Sequence, residues 1–291
     1  MPITRDNVRT YYDQNTKLFT AFGNSNAAQN IHRAVWADGA KTFEQALHVT
    51  NEWIRQEIVA VAPTQARIAD LGCGVGAGLF YIFPRLTEPE YAVGVTLSPL
   101  QARLAGRSAR QLNLSSQILF LESDFTDVPL ELGCLDAVFS VEAIAHALDP
   151  ESYFCEAGRL LRDGGRLILL DDYRASRALM PEEEKWLNSF INGWHVPGVR
   201  TVEQNETFAK KYKLQLIRND DLTPLLRLRN LPDFIAKLLR FLGTGLPIRH
   251  AILPSMLGSM ALQQCLHLGV IEYRFLLFYK RRIIHSVRYL F

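Results

Sequence analysis

Asp70-Leu71-Gly72-Cys73-Gly74-Val75-Gly76-Ala77-Gly78 constrains this chain more than any other stretch. An apolar run with Ala66, Ile68 and Ala69 precedes it, and a second apolar segment, Leu79 to Phe83, follows. A strand, a glycine-rich turn and a helix are predicted, in that order. Glycine at 72, 74 and 76 allows turn geometry and removes the Cβ that would hold a ligand away from the backbone. A helix starting just after such a turn presents N–H groups with no intrahelical partner. The stretch predicts either a tight strand-to-helix turn with no ligand or, as the favoured reading, a site of nucleotide size at the end of the first strand.

Two ligand classes use this device. Dinucleotide sites carry G-x-G-x-x-G, with pyrophosphate on the helix start and an acid roughly 20 residues on. Here the spacing is G-x-G-x-G and an acid, Asp70, ends the strand. The next predicted strand, Tyr91 to Val95, runs into Thr96-Leu97-Ser98 instead of an acid. A carboxylate at 70 would repel a pyrophosphate, whereas it suits the cationic amino-acid end of S-adenosylmethionine. A nicotinamide-dependent dehydrogenase and a non-catalytic cofactor-binding scaffold stay open as alternatives.

With 291 residues and 48% hydrophobic content, the chain is long enough for one large α/β domain with insertions. Its formal net charge of +2 predicts no basic footprint for nucleic acid. Four cysteines (Cys73, Cys134, Cys155, Cys265) lie far apart and read as reduced, buried thiols, not as metal ligands. The polar start (Thr4, Arg5, Asp6, Asn7) predicts no signal peptide, and no run of 18 apolar residues predicts a membrane span. A cytoplasmic location is the expectation.

Helices are predicted over Arg5 to Phe22 and Thr42 to Val61, before the glycine turn. After it, strands and helices alternate: strands at Tyr91–Val95, Gln117–Leu121, Leu135–Val141 and Arg166–Leu170, helices opened by Ser98-Pro99 and Asp149-Pro150. Such alternation implies a parallel sheet with crossover helices, whose ligands sit at the carboxyl ends of the strands. Asp70, Thr96, Asp124 and Glu142 all fall there. Two more strands are predicted at Lys213–Ile217 and Tyr273–Tyr279. Between them lie two apolar helical patterns, one with Phe234, Leu238 and Phe241, the other with Met256, Met260 and Leu262. Gly243, Gly245, Pro247 and Pro254 are expected to break that stretch into pieces. It reads equally as a lid over a greasy substrate or as extra core or a homodimer contact. The tail, Arg281 to Phe291, reads as packing on the sheet or as a frayed end, ahead of a contact with a membrane surface. The chain thus divides into a helical cap (1–60), a cofactor-binding core (61–221), a helical lid insertion (222–270) and a final strand with tail (271–291).

The motifs taken together resemble the class I S-adenosylmethionine-dependent methyltransferases. Asp70 to Gly78 resembles that family's first motif. Thr96-Leu97-Ser98-Pro99-Leu100-Gln101 resembles the second-strand motif of cyclopropane fatty acid synthases and geranyl diphosphate C-methyltransferases. Tyr11-Tyr12-Asp13 with Phe19 and Phe22, the block Ile31-His32-Arg33-Ala34-Val35-Trp36, and Glu142-Ala143-Ile144-Ala145-His146 resemble sterol C-methyltransferases. The resemblance implies a seven-stranded Rossmann-like sheet with S-adenosylmethionine as cofactor. It also implies contacts to that cofactor from Tyr11, Asp70, Gly72, Cys73, Gly74, Gly76, Thr96, Leu97, Gln101, Asp124, Phe125 and Ser140. Ser98 and Gln101 fit a plain capping box as well.

Methyl transfer needs no metal, and none is expected. Lining up nucleophile, methyl carbon and sulfur, and excluding water, is the protein's task. Methylation of an alkene creates a carbocation, which calls for a nearby carboxylate, aromatic faces and then proton removal. Glu142, His146 and Tyr12 are the expected catalytic residues, with Tyr11, Trp36, Tyr153 and Tyr173 as further aromatic candidates. C-methylation of an isoprenoid or other hydrophobic secondary metabolite is the expected reaction. The alternative is O- or N-methylation of an alkaloid or polyketide, for which His146 would act as base.

Overall fold

The computed structural model describes residues 4–6, 8–10, 12–13, 16, 32–228 and 252–282. Seven strands form one sheet: β1 (Arg67–Leu71), β2 (Tyr91–Thr96), β3 (Ile118–Glu122), β4 (Leu135–Val141), β5 (Leu161–Arg174), β6 (Leu214–Asp221) and β7 (Ile271–Lys280). Their order is β3-β2-β1-β4-β5-β7-β6. The first five are parallel, and β7 lies antiparallel between β5 and β6. Parallel strands are covered on both faces, so they read as unbroken apolar runs. Leu135 to Ser140 of β4 are accordingly all buried.

Helices flank the sheet: α1 (Phe43–Val61), α2 (Ala77–Ile82), α3 (Pro99–Gln111), α4 (Pro150–Leu160), α5 (Pro181–Trp194), α6 (Val202–Lys211) and α7 (Ile252–His267). Their starts follow local chemistry. Thr42 and Gln45 form a reciprocal capping box on α1, as do Thr201 and Gln204 on α6. Asp149 accepts from the Glu151 N–H ahead of Pro150, whose missing N–H costs nothing in a first turn. One face of the sheet packs Ile54, Ile58, Leu79, Trp186, Phe190 and Leu262 against Phe139 and Phe275. The other packs Tyr153, Phe154 and Ala209 against Leu169 and Phe278.

Four expectations change. Strand five runs from Leu161 to Arg174, well past Leu170, because β7 pairs with it from Arg166↔Tyr279 to Arg174↔Ile271. Pro254 does not break the second apolar pattern; it lies in the first turn of α7. Cys155 is exposed and Cys134 half-buried, since both sit at the outer margin of the fold; only Cys73 and Cys265 are buried. Tyr153 and Tyr173 belong to the core, at 0% and 1% exposure.

The described part of the insertion is a core helix. Ala261, Leu262, Cys265 and Leu266 of α7 are buried. Gly258 lets α7 approach α5 closely: a Cβ there would stand 2.5 Å from Trp194 Cδ1. The Trp194 indole N–H donates to Ser259 Oγ at 3.2 Å. The Phe234 to Leu242 pattern, Gly243, Gly245, Pro247 and the tail beyond Arg282 lie outside the described residues. Among the described residues, no helix is long and apolar enough to cross a membrane.

Candidate functional site

In an open parallel sheet, a crevice forms where the strand order reverses. Here that point lies between β1 and β4, at their carboxyl ends. Gly72, Gly74 and Gly76 follow β1 with φ of 98°, 55° and 87°, the left-handed region that favours glycine. A Cβ on Gly72 would stand 2.3 Å from the Ala143 Cβ, so the turns after β1 and β4 sit back to back. The Ser140 hydroxyl ties them by donating to the Leu71 carbonyl at 2.6 Å. A Cβ on Gly74 would meet nothing within 4 Å, so this part of the turn faces open space. Cys73 is buried beside it, and burial pushes its thiol well up. Asp70 is 5% exposed, and no hydrogen bond reaches its carboxyl among the described residues. Burial alone pushes that carboxyl up to about 8.

Beyond β2, Thr96 and Gln101 are buried and turned towards each other. The Thr96 hydroxyl donates to Gln101 Oε1 at 2.7 Å, and Gln101 Nε2 donates to Thr16 Oγ1 at 3.0 Å. Ser98 caps α3 by accepting from the Gln101 N–H at 3.1 Å, while its own hydroxyl donates to Asp13 at 2.5 Å. The full capping box is absent: the Ser98 N–H goes to Thr96 Oγ1, which leaves the Gln101 side chain for the N-terminal segment. Leu97 is half-buried between these groups. After β3, Asp124 accepts from the backbone N–H and hydroxyl of Thr126 and pairs with Arg5 at 2.8 Å. Phe125 packs edge-on against Tyr153, with centroids 5.2 Å apart. Tyr11 lies outside the described residues.

The end of β4 carries the most charged arrangement. Glu142 has φ 52°, a left-handed conformation that costs a non-glycine residue about 1–2 kcal/mol. Its N–H donates to the Leu170 carbonyl at 2.7 Å, and its carboxylate accepts from the Arg33 backbone N–H at 2.8 Å. His146 ends a 3₁₀ turn, Ile144–His146, and meets the Tyr12 ring edge-on at 5.3 Å between centroids. Burial, with some help from His195, pushes His146 down to about 4, so its imidazole is neutral at physiological pH. Its Nδ1 is buried and finds no hydrogen-bond partner among the described residues. Trp36 is covered by the Arg227 guanidinium, 3.2 Å from the ring centroid.

Three residues of this cluster were not among the expected site residues: Arg33 in that role, Asp172 and Tyr273. Arg33 clasps Asp172 through two bonds of 2.8 and 2.7 Å and lies 4.7 Å over the Tyr273 ring. Asp172 and Asp171 could have been found from the sequence, because two acids directly follow the apolar run of strand five. Tyr273 could not, because only the antiparallel pairing brings it opposite Asp172.

Residues 69–169 match a family described as a methyltransferase domain. The fold is that of the class I S-adenosylmethionine-dependent methyltransferases. The chain is 28% identical over 160 residues to the chloroplastic tocopherol O-methyltransferase of Arabidopsis thaliana, covering 53% of this chain and 45% of that one. It is 28% identical over 245 residues to sterol methyltransferase-like 3 of Botryococcus braunii, covering 82% of this chain and 58% of that one. The chain thus spans about half the length of these curated relatives. Geranyl diphosphate C-methyltransferase from Streptomyces coelicolor A3(2) superposes with a TM-score of 0.70 at 18% identity, over 96% of this chain and 99% of that one. S-adenosylmethionine is the cofactor implied by the match to a methyltransferase domain over residues 69–169. The residues present fit it: left-handed glycines leave open space beside Gly74, and the buried, unbonded Asp70 carboxyl suits a cationic ammonium. Among the described residues, no three His, Cys, Asp or Glu side chains are grouped to hold a metal ion.

Proposed function

We propose that this chain transfers a methyl group from S-adenosylmethionine to a carbon atom of a hydrophobic, isoprenoid-type small molecule. The observation that carries this reading is Glu142: a carboxylate held in a left-handed conformation at the reversal point of the sheet, with Tyr273 beside it. When bound, S-adenosylmethionine supplies the methyl group and the sulfonium leaving group. An alkene acceptor whose π pair has bonded the methyl carbon is left with a cationic carbon. Glu142 stabilises that centre and accepts the proton whose loss restores the double bond. Tyr12 offers its ring to the cation. The glycine turn and Asp70 orient the cofactor, and the N-terminal segment, bonded to Ser98 and Gln101, helps exclude water. Sterol, tocopherol and geranyl diphosphate methyltransferases among the similar proteins support an acceptor of prenyl origin.

The test is Glu142→Gln, assayed with labelled S-adenosylmethionine against geranyl diphosphate, a sterol with a side-chain double bond and a tocopherol. C-methylated product should fall by at least about 100-fold, the usual scale for a lost acid–base group. Unchanged C-methylation would sink the carbocation reading. His146 favours a second reading: a neutral imidazole with an unpartnered Nδ1 is suited to deprotonating an O- or N-nucleophile. Product bearing its new methyl group on oxygen or nitrogen, lost in His146→Ala and kept in Glu142→Gln, would establish that reading instead.

A further inference from the structure

Arg33 divides its donors between two carboxylates. Its guanidinium gives both oxygens of Asp172 a hydrogen bond, at 2.8 and 2.7 Å. Its backbone N–H holds Glu142 Oε1 at 2.8 Å, while Nη1 stops 4.0 Å short of that same oxygen. A guanidinium committed as a fork to one carboxylate gives the other only a weaker attraction at longer range. Asp172, at 4% side-chain exposure, is the more deeply buried of the two acids; Glu142 keeps 16%.

The charges around the cluster can be counted. Burial pushes the Asp172 carboxyl up, while the clasping Arg33 guanidinium pulls against that and pairs with it. Burial pushes the Asp171 carboxyl up to about 8, with Asp172 adding to the effect, so at neutral pH it is largely uncharged. Burial lowers His32, which leaves it neutral as well. Burial alone would lower Arg33, but Asp172 and Glu142 reverse that and hold it fully charged. Glu142 is the carboxylate of the cluster that the guanidinium does not clasp.

We infer that Asp172 is a positioning residue for the reaction: by clasping Arg33 at two points, it keeps that cation off Glu142 and leaves the Glu142 carboxylate available to a positively charged carbon of the acceptor. The assignment rests on the carbocation reading above. It also explains why a buried ion pair stands beside the reacting centre. Without Asp172, the guanidinium has Glu142 as its nearest remaining acid and neutralises it.

The test uses the full chain saturated with S-adenosylhomocysteine and two probes measured by calorimetry. One is N,N-dimethylgeranylamine, whose ammonium stands for the carbocation; the other is geraniol, its neutral counterpart. The wild-type protein should prefer the amine. Asp172→Asn should reduce that preference about tenfold, the scale of one nearby charge in a partly solvated site, with S-adenosylhomocysteine affinity unchanged. Arg33→Lys, which keeps the charge but cannot span both Asp172 oxygens, should show the same loss. The double variant Asp172→Asn with Arg33→Met should recover the preference, because Glu142 regains its lone charge. Preference retained in both single variants, or no recovery in the double variant, overturns the assignment alone. Equal wild-type affinity for the two probes overturns the carbocation reading and the assignment with it.

Discussion

Asp70 shows how much chemistry one side chain can hold in reserve. Burial pushes its carboxyl up to about 8, so at pH 7 it is mostly protonated. A bound ammonium favours the charged carboxylate and drives the proton off. Binding of S-adenosylhomocysteine at pH 7 should therefore release protons, with affinity rising as pH approaches 8. Calorimetry in buffers of different ionisation enthalpy measures this directly. Identical heats in the two buffers, or a release that survives Asp70→Asn, would remove Asp70 from the cofactor site. The place of Asp70 at the end of β1 was legible in the sequence because it directly precedes the glycines. The Arg33–Asp172 clasp was not, because its partners lie 139 residues apart and only folding brings them together.

At the scale of elements, local signals placed most starts well. Ser98-Pro99, Asp149-Pro150 and Thr42 each open a helix, because capping geometry depends on a few neighbouring residues. Ser98 also joins α3 to the N-terminal segment through Asp13. Ser98→Ala should cost about 1 kcal/mol in a thermal or urea melt, the usual loss of an N-cap. Asp13→Ala should lose part of the same contribution, and the two losses should be less than additive, since they share one hydrogen bond. Full additivity would mean that the Ser98–Asp13 contact contributes nothing. The ends of strands were less legible than helix starts. Strand five extends to Arg174 because β7 offers it partners, and nothing local in the Asp171-Asp172 pair announces that pairing.

Across the whole molecule, charged clasps also secure the end of the sheet opposite the site. Asp136, at the start of β4, accepts from the Arg67 N–H at 2.9 Å and from the guanidinium of Arg162 at 2.5 Å. Burial alone would raise the Asp136 carboxyl, but the two arginines bring it below its ordinary value. Its stabilisation is thus present above the unfolded value near 4 and is lost as pH falls through the lower folded value. Asp136→Asn should destabilise the chain by about 2 kcal/mol at pH 7, the scale of hydrogen bonds to a charged group. That gap should narrow in urea melts as pH falls below about 4 and close once pH has passed the lower folded value; a gap that does not narrow would show that the carboxylate charge is not its source. By itself, the sequence determined the alternation of strands and helices, the glycine turn and the placement of Asp70, Thr96 and Glu142 at strand ends. Each of these depends on neighbouring residues or on a simple period. Tertiary structure alone decided that the described helix of the insertion packs into the core, that Tyr153 and Tyr173 are core residues, and that Arg33, Glu142, Asp172 and Tyr273 meet. Those outcomes depend on strand order and on which distant surfaces close against each other, and no local pattern of residues encodes that.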